Sequence, residues 1–370
     1  MATAMLTALA SAMIVSTADA EDTAPAPDPI AWHNATILTV EGRGWDDTSE
    51  FFNRFPAKAK GVVDDGLYSL ARCSAGMAIR FVSDSPEIHA RWKLTGSSLA
   101  MPHMPATGVS GLDLYVRHNH KWRWLGAGRP EQQENTHALI SGLSPEKREY
   151  TLYLPLYNGV TSVEIGIKTG SSINPAPPRT RSIKPVVFYG SSILQGGCAS
   201  RPGMAYPSII GRVLDIPTIN LGFSGRGKCE HEVADLLAEL DPELYVIDCM
   251  PNMTPDTIDE RIRYLLRVLR DKHPTTPVVL VEQVPNRSVY AMDRDSRVGT
   301  QKSRILAKVY QDVQKDWGAL LYYVKGGKLL GDDGEGTVDG VHATDLGFLR
   351  MADALMPVVR NVLDQHSPEK

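Results

Sequence analysis

Three residues in two distant segments of the chain have side chains that could together carry out nucleophilic catalysis. Ser192 follows shortly after an apolar run at 186–188, and Asp339 and His342 lie far downstream with two residues between them. A serine hydroxyl becomes a good nucleophile only when a base removes its proton. His342 can be that base, and Asp339 can fix the imidazole tautomer and stabilise the imidazolium ion. The residue types and their chain order predict a serine hydrolase.

Each of these residues also has a purely structural interpretation. A Gly-Ser-Ser turn such as 190–192 is typical of a helix N-cap. Asp339 follows the glycine-rich stretch 331–336, where an aspartate often stabilises a turn. His342 alone would be an ordinary hydrogen-bonded or surface histidine. The catalytic interpretation therefore depends on the combination of the three.

The second half of the chain contains the elements that would position these side chains. Short apolar runs alternate there with amphipathic segments, which indicates a parallel sheet covered by helices on both faces. The runs are Val186–Tyr189, Thr218–Leu221, Leu244–Asp248, Val278–Glu282 and Leu320–Val324. The helical faces comprise Val233, Leu236, Leu237 and Leu240, then Ile258, Ile262, Leu265, Leu266 and Leu269, then Ile305, Val309 and Val313. Sites in such sheets form at the carboxyl ends of the strands, where Ser192 is expected.

The first half has a different pattern. Apolar and polar residues alternate with a period of two over residues 30–168, which predicts an antiparallel β-sandwich or jelly roll. Residues 169–183 are rich in Gly, Ser and Pro, bury little and are expected to form an extended linker. The sequence therefore predicts a β-domain at 30–168, a linker at 169–183 and an α/β domain at 184–365.

The first twenty residues predict export. Residues 1–15 are uncharged and apolar, and they lead to Ala18-Asp19-Ala20, a small-x-small site typical of signal-peptide cleavage. A short membrane anchor is the alternative, but about 20 apolar residues are needed to cross a bilayer. We therefore expect a signal peptide at 1–20 and a secreted or periplasmic protein that has no membrane contact after cleavage.

Composition and cysteine usage limit the partners. The net charge is −4 over 370 residues, which does not favour a nucleic-acid or anionic-membrane partner. The four cysteines, which are Cys73, Cys198, Cys229 and Cys249, show no zinc-site spacing. Export would permit disulfides, and Cys198 and Cys229 both follow predicted strands; buried free thiols are an equally good expectation.

The segments that contain these candidate catalytic residues resemble the conserved blocks of the SGNH (GDSL-like) hydrolase superfamily, and the resemblance covers about residues 184–365. Its G-D-S-[LI] block matches Gly190–Ile193, with Ser192 as the nucleophile and Ser191 in place of the usual aspartate. Its D-x-x-H block matches Asp339 and His342. The resemblance implies a flavodoxin-like three-layer fold and catalysis without a metal or organic cofactor.

The same resemblance implies the oxyanion hole. The family's second block supplies a glycine amide, and the segment 220–225 points to Gly225. The third block, G-x-N-D, supplies an asparagine side chain; the candidate is Asn252, although the flanking Gly and Asp are absent. With the amide of Ser192, these groups would hold the developing oxyanion.

A narrower resemblance concerns the β-domain. Gly111–Tyr115 matches the G-x-D-L-Y segment that precedes some SGNH hydrolases, and 196–203 is also similar to that subgroup. Two-domain bacterial carbohydrate esterases share this layout. The resemblance implies an exported O-acetylesterase acting on acetylated carbohydrate.

Two further functions stay open at this stage. One is a different SGNH activity, such as that of a lipase, thioesterase or arylesterase. The other is a glycan-binding protein without catalysis. Trp122 and Trp124 share one face of a predicted strand, where they form either a sugar-stacking platform or part of the core. Arg201 and Tyr206 either line the pocket or serve surface charge and helix packing.

Overall fold

The structure is a computed structural model that describes residues 29–179, 183–284 and 293–366. The expected signal peptide at 1–20 and Arg181 of the expected linker lie outside the described residues. Within these ranges, no helix combines the length and the apolar composition that crossing a membrane requires.

Two antiparallel sheets form the N-terminal part. The strands are β1 (Ile30–Asn34), β2 (Thr39–Glu41), β3 (Ala78–Ser83), β4 (Ile88–Leu94), β5 (Leu112–His118), β6 (Lys121–Gly128), β7 (Glu134–Ile140), β8 (Arg148–Tyr153), β9 (Val160–Lys168) and β10 (Ile173–Pro175). One sheet has the order β1-β9-β4-β7, and the other has the order β10-β3-β8-β5-β6 with β2 also paired to β3. The jelly-roll connectivity stays a prediction.

Alternation of side chains explains the core between these sheets. In β4 every second residue is buried, from Ile88 to Leu94, because successive side chains point to opposite faces. These residues share an apolar cluster with Leu112 and Leu114 of β5 and with Ile165 of β9. The expected linker contains β10, whose three residues pair with β3, so the chain stays attached to the sheet as it leaves the β-domain.

The C-terminal part contains a parallel sheet of five strands. They are β11 (Val186–Gly190), β12 (Thr218–Gly222), β13 (Leu244–Asp248), β14 (Val278–Val281) and β15 (Leu321–Val324). Their order is β12-β11-β13-β14-β15, which is the flavodoxin-like order. All residues of β11, β13 and β14 are buried, as expected for strands covered on both faces.

Helices cover this sheet, and some belong to the N-terminal part. The helices are α1 (Asp65–Ala71), α2 (Ala106–Val109), α3 (Ser192–Gln195), α4 (Tyr206–Leu214), α5 (His231–Leu237), α6 (Pro255–Lys272), α7 (Asp293–Trp317) and α8 (Asp345–His366). The predicted apolar face of α6 is fully buried, which confirms that helix.

The N-terminal segment around α1 packs into the core of the α/β domain. Phe55, Val63 and Leu67 are buried in one cluster with Leu221 of β12 and Val233 of α5. The two predicted domains therefore share a core at this point, which the sequence pattern did not indicate.

Arg54 fastens that segment to the end of β12. Its guanidinium is buried and donates to the carbonyls of Asn220 and Gly222 at 3.2 and 2.6 Å. It also donates to the carbonyls of Leu70 and Cys73 at 2.7 and 2.9 Å. Burial lowers the pKa of Arg54 to about 10, so the side chain remains charged at neutral pH. Four carbonyl groups therefore surround the charge, two at the end of β12 and two at the end of the segment around α1.

Candidate active site

The turn after β11 presents Ser192 at the carboxyl edge of the parallel sheet. Ser192 begins α3 directly after this turn, and its side chain is almost entirely buried. A β-carbon at Gly190 would lie 2.1 Å from the carbonyl oxygen of Asp248, so the close approach of β11 and β13 here requires glycine. The N-cap role belongs to the neighbouring serine, because the Oγ of Ser191 accepts from the amide of Ile193 at 3.3 Å. The hydroxyl of Ser192 is thereby left for another partner.

That partner is His342. The Oγ of Ser192 lies 2.9 Å from Nε2 of His342, and Nδ1 of His342 lies 2.7 Å from Oδ2 of Asp339. The second carboxylate oxygen of Asp339 accepts from the amides of Val341 and His342 at 3.0 and 2.8 Å. A single short loop therefore fixes both the carboxylate and the imidazole. The three side chains that the sequence predicted to act together form a continuous hydrogen-bonded row.

The electrostatics favour an ionised Asp339. Partial burial raises the pKa of this carboxyl, but the hydrogen bonds from the His342 side chain and the two amides lower it more, to about 2. The carboxylate is therefore negative at any pH near neutrality. A fixed negative charge at Nδ1 favours the tautomer that leaves Nε2 free to accept a proton from Ser192.

The loop after β12 brings Gly225 beside the nucleophile turn. The amide of Phe223 donates to the carbonyl of Gly190 at 2.9 Å, and the amide of Ser224 donates to Oε1 of Gln195 at 2.9 Å. Gly225 has a φ of +65°, a conformation that favours glycine. Ser192, as the first residue of α3, has no acceptor for its amide within the helix. These contacts hold the loop that carries Gly225 against the turn that carries Ser192.

Asn252 braces the same loop. It ends a short 3-10 turn after β13, and its Nδ2 donates to the carbonyls of Phe223, at 3.2 Å, and Arg226. These two carbonyls flank Gly225, so the side chain of Asn252 fixes the shape of the loop. Both of its amide hydrogens are used in this arrangement, and an oxyanion would receive one of them only if a carbonyl released it.

The β-domain supports the loop that follows the nucleophile helix. Asp113 of the G-x-D-L-Y segment is fully buried, and its Oδ2 accepts from Arg201 and from the amide of Gly203, both at 2.8 Å. Its other oxygen accepts from the indole of Trp124 at 2.9 Å. Arg201 thus makes an interdomain ion pair and is 24% exposed.

The two tryptophans and Tyr206 have different roles. Trp122 is partly buried against Tyr115 and Tyr153, in agreement with a core role. Trp124 is 51% exposed, and the guanidinium of Arg201 lies 5.2 Å from its ring. Tyr206 is buried in α4 and donates to Asp248 at 3.0 Å, which is a packing role.

Sequence reasoning missed one residue at the site. His103 of the β-domain is exposed, and its ring centroid lies 5.6 Å from that of His342. A single histidine in an irregular loop carries no periodicity or spacing that could have indicated this approach. Cys198 lies at the same place, and all four cysteines are buried and unpaired, so no disulfide joins Cys198 and Cys229 in this structure.

Comparisons with known proteins found matches to both parts of the chain. The model of the GDSL-like lipase/acylhydrolase family matches residues 183–360, and the model of the N-terminus of SGNH-hydrolase-type esterases matches residues 30–173. A GDSL-like lipase from Bacteroides ovatus, known as a crystal structure, is 34% identical with a TM-score of 0.86; the match covers 90% of this chain and 98% of that one. A search of curated proteins found no match.

More distant structures share the fold alone. The salicylyl-acyltransferase SsfX3 of a tetracycline biosynthetic pathway is 18% identical, with a TM-score of 0.73 and coverage of 90% of this chain and 98% of that one. A family-two carbohydrate esterase from Clostridium thermocellum is 16% identical, with a TM-score of 0.58 and coverage of 78% and 93%. From both family models and from the identity and coverage of the Bacteroides ovatus relative, we conclude that this chain belongs to the GDSL-like lipase/acylhydrolase family and carries the N-terminal G-x-D-L-Y domain of SGNH-type esterases.

Proposed function

We propose that this protein is an exported esterase that removes O-acetyl groups from carbohydrate, with Ser192, His342 and Asp339 as its catalytic triad. The broader class, a hydrolase that acts on esters, follows from its family membership. The observation that carries the proposal is the hydrogen-bonded row from Ser192 Oγ through His342 to Asp339 at the carboxyl edge of the parallel sheet.

The mechanism follows from this geometry. Ser192 attacks the ester carbonyl while Nε2 of His342 accepts its proton. The amides of Ser192 and Gly225 stabilise the oxyanion, and we assign the side chain of Asn252 as a third donor after it releases one of its two carbonyl partners. His342 then protonates the leaving sugar oxygen, and a water molecule, deprotonated by the same imidazole, hydrolyses the acyl-enzyme. Asp339 stabilises the imidazolium ion in both halves of the reaction.

Two observations support a carbohydrate substrate. The fold is shared with family-two carbohydrate esterases. Trp124 presents half of its indole to solvent, and its hydrogen bond to Asp113 fixes the orientation of the ring. An amphipathic ring held in this way is suited to stack on a sugar. The pattern of residues 1–20 supports export.

The first test is acetate release from 4-nitrophenyl acetate and from a panel of acetylated polysaccharides. We expect Ser192→Ala to abolish release. Ser191→Ala is the matched control, because it removes a neighbouring hydroxyl that caps α3 and should retain most of the activity. Release that survives in Ser192→Ala would refute the assignment of the nucleophile. No release from any substrate by the unaltered protein would favour a glycan-binding role.

Two further measurements test the substrate class: the rate as a function of acyl-chain length, and the effect of replacing Trp124 on KM. Esters of longer fatty acids should be hydrolysed more slowly than acetates, and a preference for them would indicate a lipase or thioesterase instead. Trp124→Ala should raise KM for an acetylated polysaccharide and leave KM for 4-nitrophenyl acetate unchanged. Trp124→Phe keeps an aromatic ring but loses the hydrogen bond to Asp113 and part of the ring area, so its KM for the polymer should lie between those of the unaltered protein and Trp124→Ala. Equal effects on both substrates would exclude Trp124 as a sugar platform.

A further inference from the structure

Three side chains with nitrogen or sulfur ligand atoms converge at the triad. They are His103, Cys198 and His342, and one ligand atom of each lies within 4.8 Å of the other two. They come from three separate segments of the chain, so no sequence spacing indicated the cluster. Only one of them, His342, has a role in the proposed mechanism.

His103 is held in place by the backbone around it. It lies with Pro102 at the tip of a tight turn, across which the amide and carbonyl groups of Met101 and Met104 exchange two hydrogen bonds of 3.0 Å. The side chain of Met104 is buried in a core cluster of the α/β domain. The turn is therefore anchored to the α/β domain, while the imidazole of His103 stays exposed beside His342.

Cys198 lies in a tight loop that passes directly against His342. Its φ is +74°, and the amide of Ala199 donates to the carbonyl of Gly196 at 3.0 Å to close the turn. A β-carbon at Gly197 would lie only 3.2 Å from Cδ2 of His342, which shows how closely the loop approaches the imidazole. The backbone conformation therefore fixes the thiol of Cys198 near the ring.

The chemistry of these ligands selects a class of metal ion. Thiolate and imidazole ligands suit Zn²⁺, whereas Mg²⁺ and Ca²⁺ prefer oxygen ligands. Tetrahedral zinc with bonds of 2.0–2.3 Å places its ligand atoms about 3.5 Å apart, so closure here requires movements on the order of 1 Å. The side chain of His103 is exposed, so it has room to rotate toward the other two ligands.

We propose that His103, Cys198 and His342 form a binding site for Zn²⁺ and that occupation of this site inhibits the enzyme reversibly. His342 offers the metal one of two nitrogens. Nε2 faces Ser192 Oγ at 2.9 Å, and Nδ1 faces Asp339 Oδ2 at 2.7 Å. Whichever nitrogen binds the metal, one hydrogen bond of the triad is lost. Water completes the coordination, and binding releases the proton of the thiol.

The activity test titrates Zn²⁺ into protein freed of metal by a chelator, with 4-nitrophenyl acetate as substrate. Zn²⁺ should inhibit, a chelator should restore the rate, and Mg²⁺ at the same concentration should have no effect. Each variant is compared with its own metal-free rate. His103→Ala and Cys198→Ser should each raise the half-inhibiting concentration at least about 10-fold. His118→Ala, which removes an exposed histidine outside the cluster, should not change it.

A binding test separates this proposal from the proposed function. Co²⁺ bound through a thiolate gives a sulfur-to-metal charge-transfer absorption in the near ultraviolet. We expect this band in the unaltered protein and in Ser192→Ala, which keeps all three ligands, and not in Cys198→Ser. If the unaltered protein shows the band but no esterase activity, the metal site stands and the proposed function fails. Absence of the band in the unaltered protein, or inhibition that persists undiminished in His103→Ala and Cys198→Ser, overturns the metal site.

Discussion

Replacing Asp339 by Asn should disable the triad while leaving the fold almost intact. In the structure one carboxylate oxygen accepts from two main-chain amides, and the other accepts from Nδ1 of His342. In Asp339→Asn the two amides would keep the side-chain oxygen, so the new NH₂ group must face His342. The imidazole would then have to accept at Nδ1 and carry its proton on Nε2. In that tautomer Nε2 cannot take the proton of Ser192.

The expected magnitudes separate the catalytic effect from the structural one. The fall in the pKa of Asp339 from 3.8 to about 2 corresponds to at most about 2–3 kcal/mol of interaction with the folded protein. Because 39% of the side chain is exposed, solvent screening reduces this figure. The loss of the correct tautomer, in contrast, lowers kcat by about 10⁴ in enzymes with such a triad, which is about 5 kcal/mol of transition-state stabilisation.

The assay is kcat/KM for 4-nitrophenyl acetate at neutral pH, together with the melting temperature. Asp339→Asn should lose several orders of magnitude in rate with a small change in melting temperature. Asp332→Asn makes the same change of charge at an exposed position of the same loop and should keep the full rate. A loss below tenfold in Asp339→Asn, with an unchanged melting temperature, would refute the orienting role of Asp339.

The remaining predictions concern four side chains around the site. Asn252→Ala should lower kcat by about 10²–10³ with little change in KM if the amide turns toward the oxyanion; a lower melting temperature with kcat within tenfold would show that Asn252 is only a brace. Asp113→Asn leaves a guanidinium without its carboxylate and should cost about 3 kcal/mol in urea unfolding, and unchanged stability would contradict this. Arg54→Met removes four hydrogen bonds to buried carbonyls and should cost about 2–4 kcal/mol in the same assay. Burial raises the pKa of Asp248 to about 7, above its value in the unfolded chain, so the free energy of unfolding should fall as the pH rises from about 4 to about 8, by on the order of 4 kcal/mol. Asp248→Asn should flatten this dependence in urea titrations over the same pH range.

The pattern of apolar residues was sufficient to predict the parallel strands and the buried face of α6. Each predicted strand of the parallel sheet lies within one residue of the observed limits, because a strand buried on both faces is an uninterrupted apolar run. The apolar face of α6 was found for a similar reason, since five buried residues repeat with the helical period. Ser192, Asp339 and His342 could be selected as candidates because the proposed chemistry requires specific residue types, and the structure brings the three together.

Contacts between distant segments were not predictable in the same way. Nothing in the sequence around Arg54 indicates that its partners are carbonyls at the end of β12, because a carbonyl belongs to every residue type. The orientation of Asn252 depends on side-chain torsions that only the neighbouring loop determines. His103 approaches His342 because of the path of an irregular loop, and such a path has no periodicity.

Several long-range contacts have one feature in common. In each of them, a residue of the N-terminal part holds a segment close to the proposed active site. Arg54 holds the end of β12, which leads to Gly225, and Asp113 holds the loop that follows the nucleophile helix. The hydroxyl of Tyr157 donates to the carbonyl of Ser192 at 3.2 Å, and the turn that carries His103 is anchored against the same loops. Every one of these contacts fixes a segment at the carboxyl edge of the parallel sheet, where the proposed mechanism requires precise positioning. The β-domain therefore forms one side of the proposed active site, and Asp113 of the G-x-D-L-Y segment joins it to the loop that follows α3.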